Sequence, residues 1–171
     1  MKRSTCWVVL LTAVCAVAIA QVPPELRDDF LDKLVGEWRV ERKFPSGRTL
    51  QSTVRGDWVL NHHFVELKYG YADTAPQYEA DVFIGYDDAG QSYVCHWVDV
   101  FGGRYSALGR GKIDNEKRSI EFRFESKEGA LTNKFTFDAE TKRWTSLIRQ
   151  EEKGAWKVFA EEKWARTAAS K

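Results

Sequence analysis

The chain has 171 residues, with 26 Lys and Arg against 25 Asp and Glu and a formal net charge of +1. That balance offers nothing to attract nucleic acid or an anionic membrane surface, both of which call for a clear excess of positive charge. Of the three cysteines, Cys6 and Cys15 fall in the N-terminal segment, so Cys95 has no internal partner and stability must come from the core rather than from a disulfide framework.

Residues 1–20 read as an export signal. Lys2 and Arg3 form the positive start, an apolar run extends from about Trp7 to Ile19, and Ala18-Ile19-Ala20 is a small-x-small cleavage site before Gln21. The run is short for a bilayer-spanning helix and no second one follows, so no integral membrane segment is expected after its removal. The exported protein, periplasmic or secreted, is then residues 21–171, enough for one domain with its own core.

Residues 24–35 place Leu26, Phe30 and Leu34 at helical spacing between Pro24 and Gly36, which predicts a short amphipathic helix capping the mouth of a barrel. Gly36-Glu37-Trp38 opens the first strand, where a glycine permits a bend and the indole can plug one end of that barrel. Strand patterns come next at about 36–44, 48–60, 62–71, 78–86, 92–101, 104–113, 119–126, 131–137, 143–152 and 155–166. The connectors, among them Pro45-Ser46-Gly47, Asp87-Asp88-Ala89-Gly90, Asp114-Asn115 and Lys153-Gly154, are hairpin turns with no room for a crossover helix. Alternation is clearest where Ile120, Phe122 and Phe124 interleave with Glu121, Arg123 and Glu125. Ten antiparallel strands in an open meander would leave two edges, so an all-β, up-and-down closed barrel is the expected fold, with a two-layer sandwich as the alternative. Tyr93 to Phe101 is apolar on both faces, so its outer face should meet either a second copy, as in a homodimer, or the N-terminal helix.

Leu34-Val35-Gly36-Glu37-Trp38, Gly56-Asp57-Trp58-Val59-Leu60, Ile84-Gly85-Tyr86-Asp87, Trp97-Val98-Asp99 and Glu162-Lys163-Trp164-Ala165-Arg166, in this order over nearly all of residues 21–171, resemble a family of uncharacterised, often exported bacterial proteins of the lipocalin-like (calycin) type. The resemblance implies the barrel and leaves the activity open. A more distant likeness is to nitrobindin-type barrels, ten-stranded proteins that bind haem through a histidine near the C-terminus. The last histidine here is His96, so that ligand does not carry over.

Trp58, Tyr86, Trp97, Trp144 and Trp156 could line a cavity, with Glu66, Asp99 or Arg104 orienting what it holds. The ligand-binding set read from the sequence is Trp58, Glu66, Tyr86, Trp97 and Asp99, and the alternative use of those aromatics is a filled core. His62 and His63 are adjacent and point to opposite faces of a strand, so no shared metal site is assigned to them. His96, or failing it His63, is the candidate axial ligand if the barrel holds haem. No catalytic residue is assigned: Asp99 and His96 fall on opposite faces, His96 points away from Cys95, and Cys95 reads as packing. The expectation is an exported barrel that holds a small, mostly apolar molecule, gated by the helix at 24–35. The alternatives are a haem-binding barrel and a filled-core structural or interaction barrel, the latter dimeric through residues 92–101.

Overall fold

Ten antiparallel strands close on themselves in the computed structural model, which describes residues 23–116, 118–127 and 129–167. They are β1 (Gly36–Lys43), β2 (Thr49–Val59), β3 (Phe64–Tyr69), β4 (Ala80–Asp87), β5 (Ser92–Asp99), β6 (Ala107–Asp114), β7 (Ser119–Phe124), β8 (Leu131–Asp138), β9 (Arg143–Glu152) and β10 (Ala155–Arg166). Each pairs with the next in sequence, and β10 returns to β1 with Trp38 opposite Arg166 and Arg42 opposite Glu162. Closure leaves no unpaired edge, as an antiparallel meander of this length requires, and the sandwich is set aside. The export signal read at residues 1–20 lies outside the described residues.

Period-2 alternation decides which side chains enter. In β7 Ile120, Phe122 and Phe124 are buried while Glu121 and Arg123 are exposed. Trp38, Trp144, Trp164, Phe122, Phe135, Leu67 and Ile84 are among the largest fully buried side chains. Their rings meet edge to face, Trp164 lying 6.2 Å from Trp38, 5.9 Å from Phe135 and 5.7 Å from Tyr69, a geometry that adds to the burial itself.

The helix expected over 24–35 does not form. The segment runs without regular structure from Pro23, turns, and makes only one 3-10 turn at Leu31–Leu34. Pro23 and Pro24 remove backbone donors, and the Asp28 carboxylate takes the N–H groups of Phe30 and Leu31, both at 2.9 Å, which competes with an α-helical ladder. Leu26 N–H instead donates to the His62 carbonyl in the β2–β3 turn at 3.0 Å. The lead-in still closes one end, because Leu31 and Leu34 are fully buried. Gly36 is required there by its φ of 122°, a conformation that residues with a side chain rarely adopt.

In β5 the residues paired with buried Val82 and Ile84 of β4 are Trp97 and Cys95. Tyr93, Cys95, Trp97 and Asp99 therefore face inward, and Val94, His96 and Val98 outward. The lead-in does not cover the far end of this outer face, where Val98 is 47%, Val100 54% and Phe101 66% exposed. Among the described residues no helix is long and apolar enough to cross a membrane.

Candidate functional site

The inward phase of β1 runs Trp38, Val40, Arg42, and that of β10 runs Ala160, Glu162, Trp164. Each strand thus carries one charged residue into an otherwise apolar interior. Closure places the two directly opposite, and the Arg42 Nη2 and Nε meet Glu162 Oε1 at 2.6 and 2.7 Å with both side chains almost wholly buried. The other carboxylate oxygen accepts from Trp164 Nε1 at 3.0 Å.

Two tyrosines complete the cluster. The Arg42 guanidinium lies 4.5 Å from the ring centre of Tyr78 and 5.8 Å from that of Tyr69. Tyr78, on the loop before β4, donates its hydroxyl to Asp99 Oδ2 at 3.1 Å and accepts from Trp97 Nε1 at 2.9 Å. The Tyr69 hydroxyl is buried with no hydrogen-bond partner. A cavity of about 10 Å3 lies between Val40, Arg42, Leu50, Ser52, Tyr69, Tyr78 and Glu162, room for about one water.

Burial acts on Arg42, on the two tyrosines and on the nearby Cys95. It opposes the charge on Arg42, but Glu162 and the tyrosines outweigh it and the guanidinium is held protonated more firmly than usual. It pushes the hydroxyls of Tyr69 and Tyr78 up, so both stay neutral donors. It likewise pushes the Cys95 thiol up, which removes the thiolate a nucleophile would need.

The five residues singled out in the sequence do not form one site. Trp97 and Asp99 belong to the polar cluster. Trp58 and Tyr86 occupy inward positions at the opposite end: Trp58 stacks on His62 at 4.1 Å and donates to Asp32 Oδ1 at 2.8 Å. Tyr86 packs 5.0 Å from Tyr93, whose hydroxyl donates to the Asp28 carboxylate. Glu66 pairs with Asp57 and Phe83, positions on the outer face.

His96 is also outward, opposite Phe83 and Leu108, with its ring 6.3 Å from Phe64. His63 sits in the β2–β3 turn, its Nε2 buried without a partner. No inward strand position is a histidine, so His96 does not fit as the axial ligand of a haem held within the barrel. Among the described residues no three His, Cys, Asp or Glu lie together as a metal site.

Sequence reasoning passed over Arg42, Tyr69, Tyr78 and Glu162. The signal available for two of them was phase, since Arg42 follows Trp38 and Val40 at intervals of two, and Glu162 precedes Trp164 by two. Among curated proteins none matches the chain. A family profile does match residues 24–166, the whole barrel together with most of its lead-in, and the chain belongs to that family, described as "Protein of unknown function (DUF1579)".

Proposed function

We propose that the chain is an exported, lipocalin-like (calycin) barrel that binds a small, mostly apolar molecule at the end of its interior opposite the lead-in. The observation that carries this reading is the buried Arg42–Glu162 pair beside a Tyr69 hydroxyl with no partner. A barrel selected only for a filled core would do better with apolar groups there, because a buried ion pair rarely repays its desolvation and an orphan hydroxyl costs about 1–3 kcal/mol. A ligand carrying a hydrogen-bond acceptor such as a carbonyl would satisfy the Tyr69 hydroxyl, with its apolar body against Val40, Leu50 and Trp97. The pair is already neutral overall, which favours an uncharged ligand.

The existing cavity admits one water, so such a ligand enters only by displacing Tyr78 and breaking its bonds to Asp99 and Trp97. The gating expected of residues 24–35 then falls to the loops 70–79 and 100–106. Native mass spectrometry of the protein recovered from the exported fraction of its own host tests this directly. A mature chain starting at Gln21 with a bound organic mass, of lower occupancy in Tyr69→Phe, is expected. A bare mass, together with no binding of uncharged apolar carbonyl compounds in solution, would sink the reading.

A second reading has its own support. The closely filled interior and the exposed Val98, Val100, Phe101, Tyr105 and Leu108 suit a filled-core interaction barrel that pairs with a second copy through this face. The same spectra would then give a bare dimer that dissociates on Phe101→Lys.

A further inference from the structure

The outer face of β6 to β9 carries a transverse row in which each residue stands opposite the next: Arg110, Arg123, Thr132 and Arg149. Two arginines directly opposite each other repel, and a sheet normally places an acid in one of the positions. Arg110 is engaged by Asp87 at 2.7 Å and by Ser92 at 3.2 Å. Arg123 is engaged by Glu125 at 2.5 Å, by Glu151 at 4.0 Å, and by the face of Trp156, whose ring centre is 5.4 Å away. Arg149, which is exposed, makes no hydrogen bond or ion pair among the described residues.

These side chains surround a depression. Glu121, Arg123, Thr132, Arg149 and Trp156 line a shallow, open hollow of about 420 Å3. Trp156 is 42% exposed in it, a large flat ring left in contact with water beside an uncommitted guanidinium. The hollow is on the outside of the barrel wall and shares no residue with the interior cluster.

We propose that this hollow binds a small aromatic monocarboxylate. Its ring stacks on the indole of Trp156, and its carboxylate takes the forked donors of Arg149, with the Thr132 hydroxyl at hand as a further donor. Glu121 on the same wall opposes a second negative charge, which selects a monoanion over a dianion or a phosphate.

The test is titration of the 15N-labelled full-length protein with naphthalene-2-carboxylate and, separately, with the neutral naphthalene-2-carboxamide. Expected are saturable shifts of the Trp156 indole resonance with the carboxylate and none with the amide. Arg149→Gln and Trp156→Leu should each weaken binding about tenfold or more, and Arg149→Lys less than Arg149→Gln. Both positions are exposed, so the rest of the spectrum should keep its dispersion and report that the fold is intact. Absence of a saturable shift, equal binding of the amide, or binding unchanged in Arg149→Gln would each overturn the proposal.

Discussion

The two ends of the barrel are closed by opposite chemistry. At the lead-in end the indole N–H of Trp38 donates to the Leu34 carbonyl at 2.8 Å and that of Trp144 to the Lys33 carbonyl at 3.1 Å, so large apolar groups are buried with their polar atoms satisfied. Arg166 adds a lid over Trp38, its guanidinium 4.0 Å from the ring centre and bonded to the Val35 carbonyl at 2.7 Å. At the other end the fill is an ion pair, two tyrosines and one hydroxyl without a partner. The lead-in end also keeps two buried polar atoms without a partner, His63 Nε2 and Thr167 Oγ1. What sets the loop end apart is therefore the buried Arg42–Glu162 pair, a cost that a filled core does not require.

The largest expected effect breaks the lead-in end. Trp38→Ala removes a fully buried indole and the anchor of the 3-10 turn, and should cost about 3–5 kcal/mol in urea unfolding. No repair by a second substitution is expected, because the loss is of volume and contact.

The loop end should respond differently. Arg42→Met alone strands Glu162 in the interior and should cost about 3–5 kcal/mol. Arg42→Met with Glu162→Leu removes both charges and should recover that loss, reaching wild-type stability or exceeding it by about 1–4 kcal/mol. A double variant as unstable as the single one would mean that the pair holds the fold, and the contrast between the ends would lose its meaning.

Alkaline unfolding sharpens the same contrast. Burial raises the native pKa of Tyr69 and Tyr78 above the ordinary 10.0 and that of Cys95 above 9.0. The unfolded chain therefore releases these protons first. Their contribution to stability is complete below those ordinary values and is lost as pH rises from there toward the raised native ones. Each group can subtract up to about 1.4 kcal/mol per pH unit in that window. Urea midpoints should fall steeply above pH 9, and Cys95→Ala should flatten the first part of the fall.

Much of the fold was legible because its grammar is local. All ten strands were readable from alternation and from turns built on Gly, Asp, Asn and Pro. The lead-in was misread because Leu26, Phe30 and Leu34 fit a helical period, whereas the Asp28 carboxylate and two prolines decide the backbone. Phase would have set Glu66 apart, since it alternates with the buried Val65, Leu67 and Tyr69. It could not do so for His96, because β5 is apolar on both faces. The Arg42–Glu162 pair joins residues 120 positions apart, and only closure of β10 on β1 brings them together. A lone charge on an inward phase reads locally as a wet strand face.

The smallest expected effect discriminates most finely between a site and a filled core. Tyr69→Phe removes one oxygen and nothing else, and that oxygen has no hydrogen-bond partner among the described residues. If the loop end were only packing, the change would relieve an unsatisfied buried hydroxyl, raise stability by about 1 kcal/mol, and leave ligand binding untouched because there would be none. If Tyr69 is the donor that a ligand's acceptor meets, the same change raises the stability of the empty protein yet weakens the ligand by about tenfold. Thermal unfolding with and without the ligand found in the native spectra separates these outcomes, since the ligand-induced rise in Tm should shrink in the variant while the unliganded Tm goes up. Stability and function would then move in opposite directions at a single atom, as expected where a hydroxyl is kept for what it binds rather than for how the barrel folds.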